Sequence, residues 1–566
     1  MTKTQKRCLI FAALALVLAA VVFLAVRSAA ADAGRTASAA DEAASTETIP
    51  AADTAAEASD DAAALVFSDS GITGSGSGCE ISGTALTIDE PGVYTVSGTC
   101  ADGSIKIKKG TTGVTLVLDG LDLTSAATAP ITCGGSSEVT IVAASGTVNA
   151  LADSAQNNDD TYPENTDAEN AVIKCKGGSN VTLSGSGTLN ITANGKNGIK
   201  SGATTEEEGE ASLTIQELTL NITAGINDAI NAEQTLNIPS GTLTIAAADD
   251  AIHADYTLTI GADGTDGPSI TITACYEGLE AAALNILSGS IDITATDDCL
   301  NAANADLSDY DFTMTISGGT VRACTSGGDG FDSNGSLTIS GGDIAVWTAS
   351  TADNQPLDAD GAITITGGTM LAAGGSSGMG MNLSAAQGYV LFGSDTMGGM
   401  GGFPGGGMQP PSGERPDDAA ARPDGTQTGD RPTPPDGFGG AAGSASVTKG
   451  STLAILSGSD TIFSADAPCD VRFVFFSSPA LTEGASYTLS SGGESVETSA
   501  AQTGGTQTGF GGGRPNGDPP AMPDGATPPE KPDGTAENGQ PGTPPAGDPP
   551  TGAPGDAAQG AGGGDL

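Results

Sequence analysis

From about Asn170 to Asp360 the polar and apolar positions repeat one measure: an acidic or amide residue, an apolar anchor two places on, then two short alternating strands. The measure opens with NGIK at Asn197, DAIN at Asp228, DAIH at Asp250, EGLE at Glu277, DCLN at Asp298 and DGFD at Asp329. Each opening leads into a Leu-x-Ile type strand, such as Leu236–Ile238 or Leu258–Ile260, then a Gly/Ser break and a second strand, such as Leu243–Ile245 or Ile270–Ile272. The anchors Ile173, Ile199, Ile230, Ile252, Leu279, Leu300, Phe331 and Leu357 recur about every 20–30 residues. In pieces such as GTLTI and GTLNIT, Leu and Ile alternate with Thr or Asn, so one side points in and the other out. A lone coil cannot bury its inward row; stacked coils bury it against each other and pair their backbone N–H groups above or below. The pattern predicts an all-β chain, a right-handed parallel β-helix of three-strand coils, with the hand taken from the usual crossover preference. A β-sandwich shares the alternating strands but not an acidic punctuation once per three-strand unit.

The same reading divides the chain. Residues 1–33 are a signal peptide or N-terminal membrane anchor: Lys3, Lys6 and Arg7 precede an apolar run over 8–26, and small residues follow. Either form places the body outside the cytoplasm, secreted or anchored at the cell surface. Residues 34–63 are expected to be a disordered linker and 64–373 the β-helix, its first part an N-terminal cap. Residues 374–445, rich in Gly, Pro and Met, are expected to be a disordered insertion, 446–491 a short capping β segment, and 492–566 a disordered tail.

Composition narrows the chemistry. The 566 residues include 84 Gly and 30 Pro with 4% aromatics, poor material for one large core and adequate for a thin repetitive one. With 69 acidic against 20 basic residues and a formal charge of −49, the chain is not expected to bind nucleic acid, whose phosphates need Lys and Arg. Cations suit it, and a monomer is expected. Cys133 and Cys175 each lie two residues past an apolar anchor and are read either as a disulfide or as buried thiols. No C-x-x-C pair supports zinc or redox chemistry.

Stacking would line up Asp228, Asp250, Glu277, Asp298 and Asp329 in one column. Adjacent strands are about 4.8 Å apart, where two carboxylates repel by about 1 kcal/mol in water and several times more at reduced dielectric. Bridging cations or protons are therefore needed, and oxygen-only surroundings select Ca²⁺. Asp249 and Asp297 before the column, and Glu280, Asp332 and Asp358 after the anchors, are further metal ligands in this reading. The simpler alternative is a solvated row of turn residues capping backbone amides.

Tyr94–Ile107 (YTVSGTCADGSIKI), Val114–Ile131 (VTLVLDGLDLTSAATAPI), Asn180–Ser201 (NVTLSGSGTLNITANGKNGIKS), DDAIHA and FFSSPALTEGASYTL together resemble a known family: calcium-binding, carbohydrate-binding right-handed β-helix proteins of clostridial and related cell surfaces, similar in fold to pectate lyases. The resemblance covers roughly residues 64–373 plus Phe473–Leu489 and implies Ca²⁺ and a polysaccharide partner, cellulose or acidic pectin-like glycans. This chain departs from the D-G-I motif in DAIN, DAIH, EGLE and DCLN, and by inserting 374–445, which bears on how many coils bind metal.

Extracellular, non-catalytic polysaccharide binding by a calcium-loaded β-helix is the expected function. A structural or adhesin-like solenoid and a calcium-dependent pectate lyase are the alternatives; Lys174, Lys200 and Arg322 would be the lyase's candidate bases. Polygalacturonase-type hydrolysis lacks its Gly-His-Gly and Arg-Ile-Lys elements, and the sole histidine, His253, reads as an exposed turn residue. For direct sugar contact the candidates are Trp347, expected to face outward beside inward Ile344 and Val346, and Tyr276 near a coil corner.

Overall fold

The structure is a computed structural model and describes residues 63–203, 208–304, 307, 310–349, 354–374, 381–393 and 446–508. Among these residues every regular element is a strand: one large, mostly parallel sheet of 34 strands and a separate antiparallel sheet of four. No helix of the described residues is long and apolar enough to cross a membrane. The apolar run over 8–26 and the linker over 34–62 lie outside them.

The parallel strands fall into three ladders, which the chain visits in turn. Ladder I takes the TLNIT-type strands: Thr188–Ala193 pairs residue for residue with Thr219–Ala224, and that strand with Thr242–Ala247. Ladder II takes the anchor strands, including Ala171–Cys175, Asn197–Ser201 and Ile230–Ala232. Ladder III takes the Leu-x-Ile strands, such as Asn180–Ser184, Ser212–Ile215 and Thr235–Ile238. On ladder II the expected anchors pair directly: Ile173 with Ile199, Ile199 with Ile230, Ile230 with Ile252, Ile252 with Leu279, Leu279 with Leu300, and Leu300 with Phe331, which bridges to Leu357. All these anchors are fully buried. Each such Leu or Ile contributes about 1.5–3 kcal/mol by leaving water, and each does so only because its neighbouring repeat covers it. Between column and anchor, Gly278 is forced by packing: a Cβ there would meet the Cys299 carbonyl oxygen at 2.2 Å.

Two boundary expectations are corrected. Met381–Phe392, inside the stretch expected to be disordered, is a strand that continues ladder III through Ile363–Ile365 and pairs antiparallel with Phe473–Ser477 and Gln502–Thr508. Its apolar positions (Leu383, Ala385, Tyr389, Val390, Phe392) were hidden by the Gly- and Pro-rich composition averaged around them. The tail is ordered past residue 492: Glu494–Ala500 forms a hairpin with Ser486–Ser491 across Gly492 and Gly493, whose φ of 60° and 88° suits a tight primed turn. The four-stranded sheet runs in the order Asp460–Asp466, Thr452–Ser457, Ser486–Ser491, Glu494–Ala500. All the described cysteines are free thiols, and Cys133 and Cys175 sit in register on ladder II, both buried.

Candidate functional site

The acidic column forms where the chain leaves ladder I and enters ladder II. There the repeats are stitched by main-chain bonds: Ala229 N–H donates to the Asp250 carbonyl (3.0 Å), Ala251 to Glu277 (2.9 Å), Gly278 to Asp298 (2.9 Å) and Cys299 to Asp329 (3.2 Å). Asp228, Asp250, Glu277, Asp298 and Asp329 thus stack one per repeat as the sequence suggested. Part of their carboxylate capacity goes to capping the next repeat: Asp228 Oδ1 accepts from the Asp250 N–H (3.2 Å), Asp298 Oδ1 from Asp329 (2.6 Å), and Asp329 Oδ1 from Gln355.

Beside this column runs a second one, made by the residue after each anchor. Lys174, Lys200, Asn231, His253, Glu280, Asn301 and Asp332 lie in register along ladder II. Three groups along the strip have oxygens or nitrogens within 4.8 Å of one another: Asp228, Asp249 and Asp250 on the first column's side, and both Asp250, His253 and Glu280 and Asp329, Asp332 and Asp358 where the two columns meet. The strip is recessed. Asp228 is 4% exposed, and Asp250, Glu277, Asp298, Asp329 and Asp332 are half-buried, which departs from a solvated turn row.

Burial sets the electrostatics. It pushes Asp250 and Asp298 up to about 7, Glu277 to about 8 and Asp332 to about 6, with neighbouring carboxylates adding to the rise. Asp228, Asp249 and Asp358 move the same way, chiefly by burial. These groups resist carrying their charges without a counter-ion. His253 supplies one locally. Its Nδ1 is 2.6 Å from Glu280 Oε2 and its Nε2 is 3.0 Å from Asp255 Oδ1. Burial alone would lower the imidazole, but its contacts with Asp250, Asp255 and Glu280 hold it well above its ordinary value. His253 is therefore a clasped, largely buried group and not the exposed turn residue expected.

The sequence reading missed two amides. Asn231 Nδ2 donates to Asp228 Oδ2 (2.6 Å) and Asn301 Nδ2 to Glu277 Oε2 (2.9 Å). In each case the Oδ1 is buried and has no hydrogen-bond partner. Asn301, 8% exposed, stands in register between Glu280 and Asp332. An orphaned buried acceptor costs about 1–3 kcal/mol, and a carbonyl oxygen among carboxylates is a normal ligand of a hard cation. The residues therefore fit Ca²⁺. The signal was present in the fourth position of DAIN, DAIH, EGLE, DCLN and DGFD, of which only the acidic members were taken as ligands.

The remaining candidates separate. Asp297 lies at the rim, where its carboxylate takes a hydrogen bond from the Tyr276 hydroxyl and, with its charge, pushes that phenol up to about 12. Tyr276 is 46% exposed and remains available to a ligand. Trp347 does point away from the ladders' interior, but it is 4% exposed and belongs to a second core with Val390, Val471 and Phe476. It cannot stack on a sugar. The C-terminal strands cover the outward face of Asp343–Thr348 and Thr369–Gly374, whose runs IAVW and MLAA lack the alternation of a strand with one wet face. Arg322 is held by Asp343, with Nη2 2.8 Å from Oδ2, on ladder I and away from the strip.

The family model for carbohydrate-binding domain-containing proteins matches residues 82–378, just over half of the chain, and the chain belongs to that family. A curated relative from Acetivibrio thermocellus, itself a carbohydrate-binding domain-containing protein, is 35% identical over 123 residues. That match covers 22% of this chain and 42% of the relative, so the chain spans less than half the length of the protein it matches. A solved structure of the polysaccharide lyase-like protein from C. thermocellum, a gadolinium derivative, aligns at 23% identity and a TM-score of 0.34 over 54% of this chain and 96% of that one. That likeness is too distant to carry an argument here.

Proposed function

We propose that this chain is an extracellular, non-catalytic polysaccharide-binding protein in which a right-handed parallel β-helix holds Ca²⁺ along its recessed acidic strip, and that the bound ions bridge to the carboxylates of an acidic, pectin-like glycan. Family membership supports the carbohydrate. The observation that carries the metal is the pair of orphaned buried amide oxygens, Asn231 Oδ1 and Asn301 Oδ1, set among carboxylates that burial has driven up toward neutrality. Asp228, Asp249, Asp250 and Asn231 would hold an ion at one part of the strip; Glu277, Glu280, Asp298 and Asn301 at a second; Asp329, Asp332 and Asp358 at a third. Ca²⁺ there would supply positive charge with open coordination positions for sugar oxygens. Tyr276 would give an exposed aromatic face at the rim. Of the bases considered for the lyase alternative, Lys174 and Lys200 lie toward the lysine-bearing end of the ladder, away from the carboxylate groups, and Arg322 is engaged by Asp343, which favours the binding reading. Co-sedimentation of the full chain with insoluble pectate and with cellulose, in Ca²⁺ and in chelator, tests the reading. Calcium-dependent retention on pectate supports it, and failure to bind either polymer contradicts it.

A second reading has its own observation. The capping of each following repeat by Asp228, Asp298 and Asp329 is structural, so Ca²⁺ that only stiffened the stack would also suit these residues. In that case chelation would lower the melting temperature and leave glycan retention unchanged.

A further inference from the structure

The lysines of this acidic chain are concentrated in one place. All the described lysines but Lys449 lie between residues 106 and 200. The register puts Lys106, Thr132, Lys174 and Lys200 in a single outward column of ladder II. Two residues further on, at the next outward position, Lys108 and Lys176 flank Gly134, joined by main-chain bonds from Gly134 N–H to Ile107 O and from Lys176 N–H to Cys133 O (2.9 Å each). Around the adjoining corner is a cavity of about 650 Å³ lined by Lys109, Lys176, Ser136, Glu210 and the glycine turns between them. Three of these lysines are matched internally, Lys108 by Asp89, Lys176 by Glu169 and Lys200 by Glu233. Among the described residues Lys106, Lys109 and Lys174 make no ion pair.

Lys174 and Lys200 sit directly opposite each other on adjacent parallel strands. Like charges so placed are destabilising. Burial, and then the Lys200 charge, lower the Lys174 ammonium below its ordinary value. Glu233 and Glu169 offset part of that repulsion, and an anion beside the ammonium groups that make no ion pair would relieve the rest. The nearest acidic member of the same column, Glu280, stands three strands beyond Lys200, about 14 Å at 4.8 Å per strand. Carboxylates on neighbouring turns stand closer, Asp89, Glu169 and Glu233 in ion pairs and Glu210 on the cavity wall, so the ammonium groups left for a ligand are those of Lys106, Lys109 and Lys174.

We propose that this lysine face is a second, metal-independent binding site that takes the carboxylates of a uronate polymer directly, so that one ladder presents ammonium groups at one end and cation-loaded carboxylates at the other. The proposal rests on the reading that the chain binds acidic polysaccharide, but not on calcium. Its elements are ordinary: lysine ammonium groups as point-charge donors to carboxylates, spaced by the strand separation, beside a cavity that admits a sugar ring.

The test is retention of the full chain on insoluble polygalacturonate and on cellulose in excess chelator, from about 20 to 300 mM salt, for the wild type and for the double variant Lys106→Glu/Lys109→Glu. The expected result is chelator-resistant retention on polygalacturonate at low salt that fades as salt rises, absent on cellulose and reduced about tenfold or more in the variant. Lys106→Gln/Lys109→Gln, with an unchanged melting temperature, should show an intermediate loss and exclude misfolding as the cause. Equal retention of wild type and variants in chelator, equal retention on cellulose, or none at low salt overturns the proposal. Calcium-dependent retention is read in the same assay without chelator. Its loss with the chelator-resistant part intact would sink the calcium reading and leave this site standing.

Discussion

Asn301 is the residue on which the metal account turns. Its amide nitrogen is spent on Glu277 and its oxygen has no partner, a state that a hard cation resolves. Asn301→Ala and Asp298→Ala are each expected to weaken Ca²⁺ binding about tenfold or more, read by titration calorimetry, with Asn301→Asp retaining it. The raised carboxylates make a signed prediction. Their folded values of about 6–8 lie above the unfolded values of about 4. The protonated form therefore favours the folded state, and this stabilisation is complete below about pH 4 and lost as pH rises through 6–8. In chelator the melting temperature should fall between pH 5 and pH 8, and Ca²⁺ should remove most of that fall; a flat profile in chelator would count against the buried strip. Trp347 belongs to packing. Trp347→Ala should cost about 3–5 kcal/mol in denaturant titration and leave the glycan retention of the folded protein unchanged.

At the scale of the strand, most of the architecture was legible because the strands with one wet face advertise themselves. In TLNIT and SLTI the outward Thr, Asn and Ser mark every second position, and the eight anchors could be aligned by eye; all of them pair as expected. The reading failed where that signal vanishes. In Asp343–Thr348 both faces are buried, so alternation assigned Trp347 a direction without revealing what covers it. Met381–Phe392 and Glu494–Ala500 are islands of strand pattern within Gly- and Pro-rich surroundings, and composition averaged over the segment concealed them. The acidic members of the site were visible as a column, whereas Asn231 and Asn301 look like ordinary outward strand residues until their neighbours are known. A chain ended at residue 492 loses the strands Glu494–Ala500 and Gln502–Thr508 that pair with Ser486–Ser491 and Met381–Phe392. It should melt at a lower temperature than one ended at residue 509 in a side-by-side thermal scan, and equal melting would contradict the pairing.

At the scale of the molecule, charge is organised along the repeats: among the described residues all lysines but Lys449 are gathered over residues 106–200 and recessed carboxylates over 228–358, within a chain of formal charge −49. Repeats that bury one another lose stability together when one is perturbed, so metal occupancy of the strip and the integrity of the stack are coupled on this account. That coupling is why melting alone cannot separate a binder from a spacer. The deciding measurement is co-sedimentation of the full chain with insoluble pectate at physiological salt, in Ca²⁺ and in chelator, with the Asn301→Ala variant alongside. The account predicts strong retention in Ca²⁺ that drops in chelator and drops for the variant at limiting Ca²⁺. Retention on pectate indifferent to Ca²⁺ and to Asn301 would contradict it.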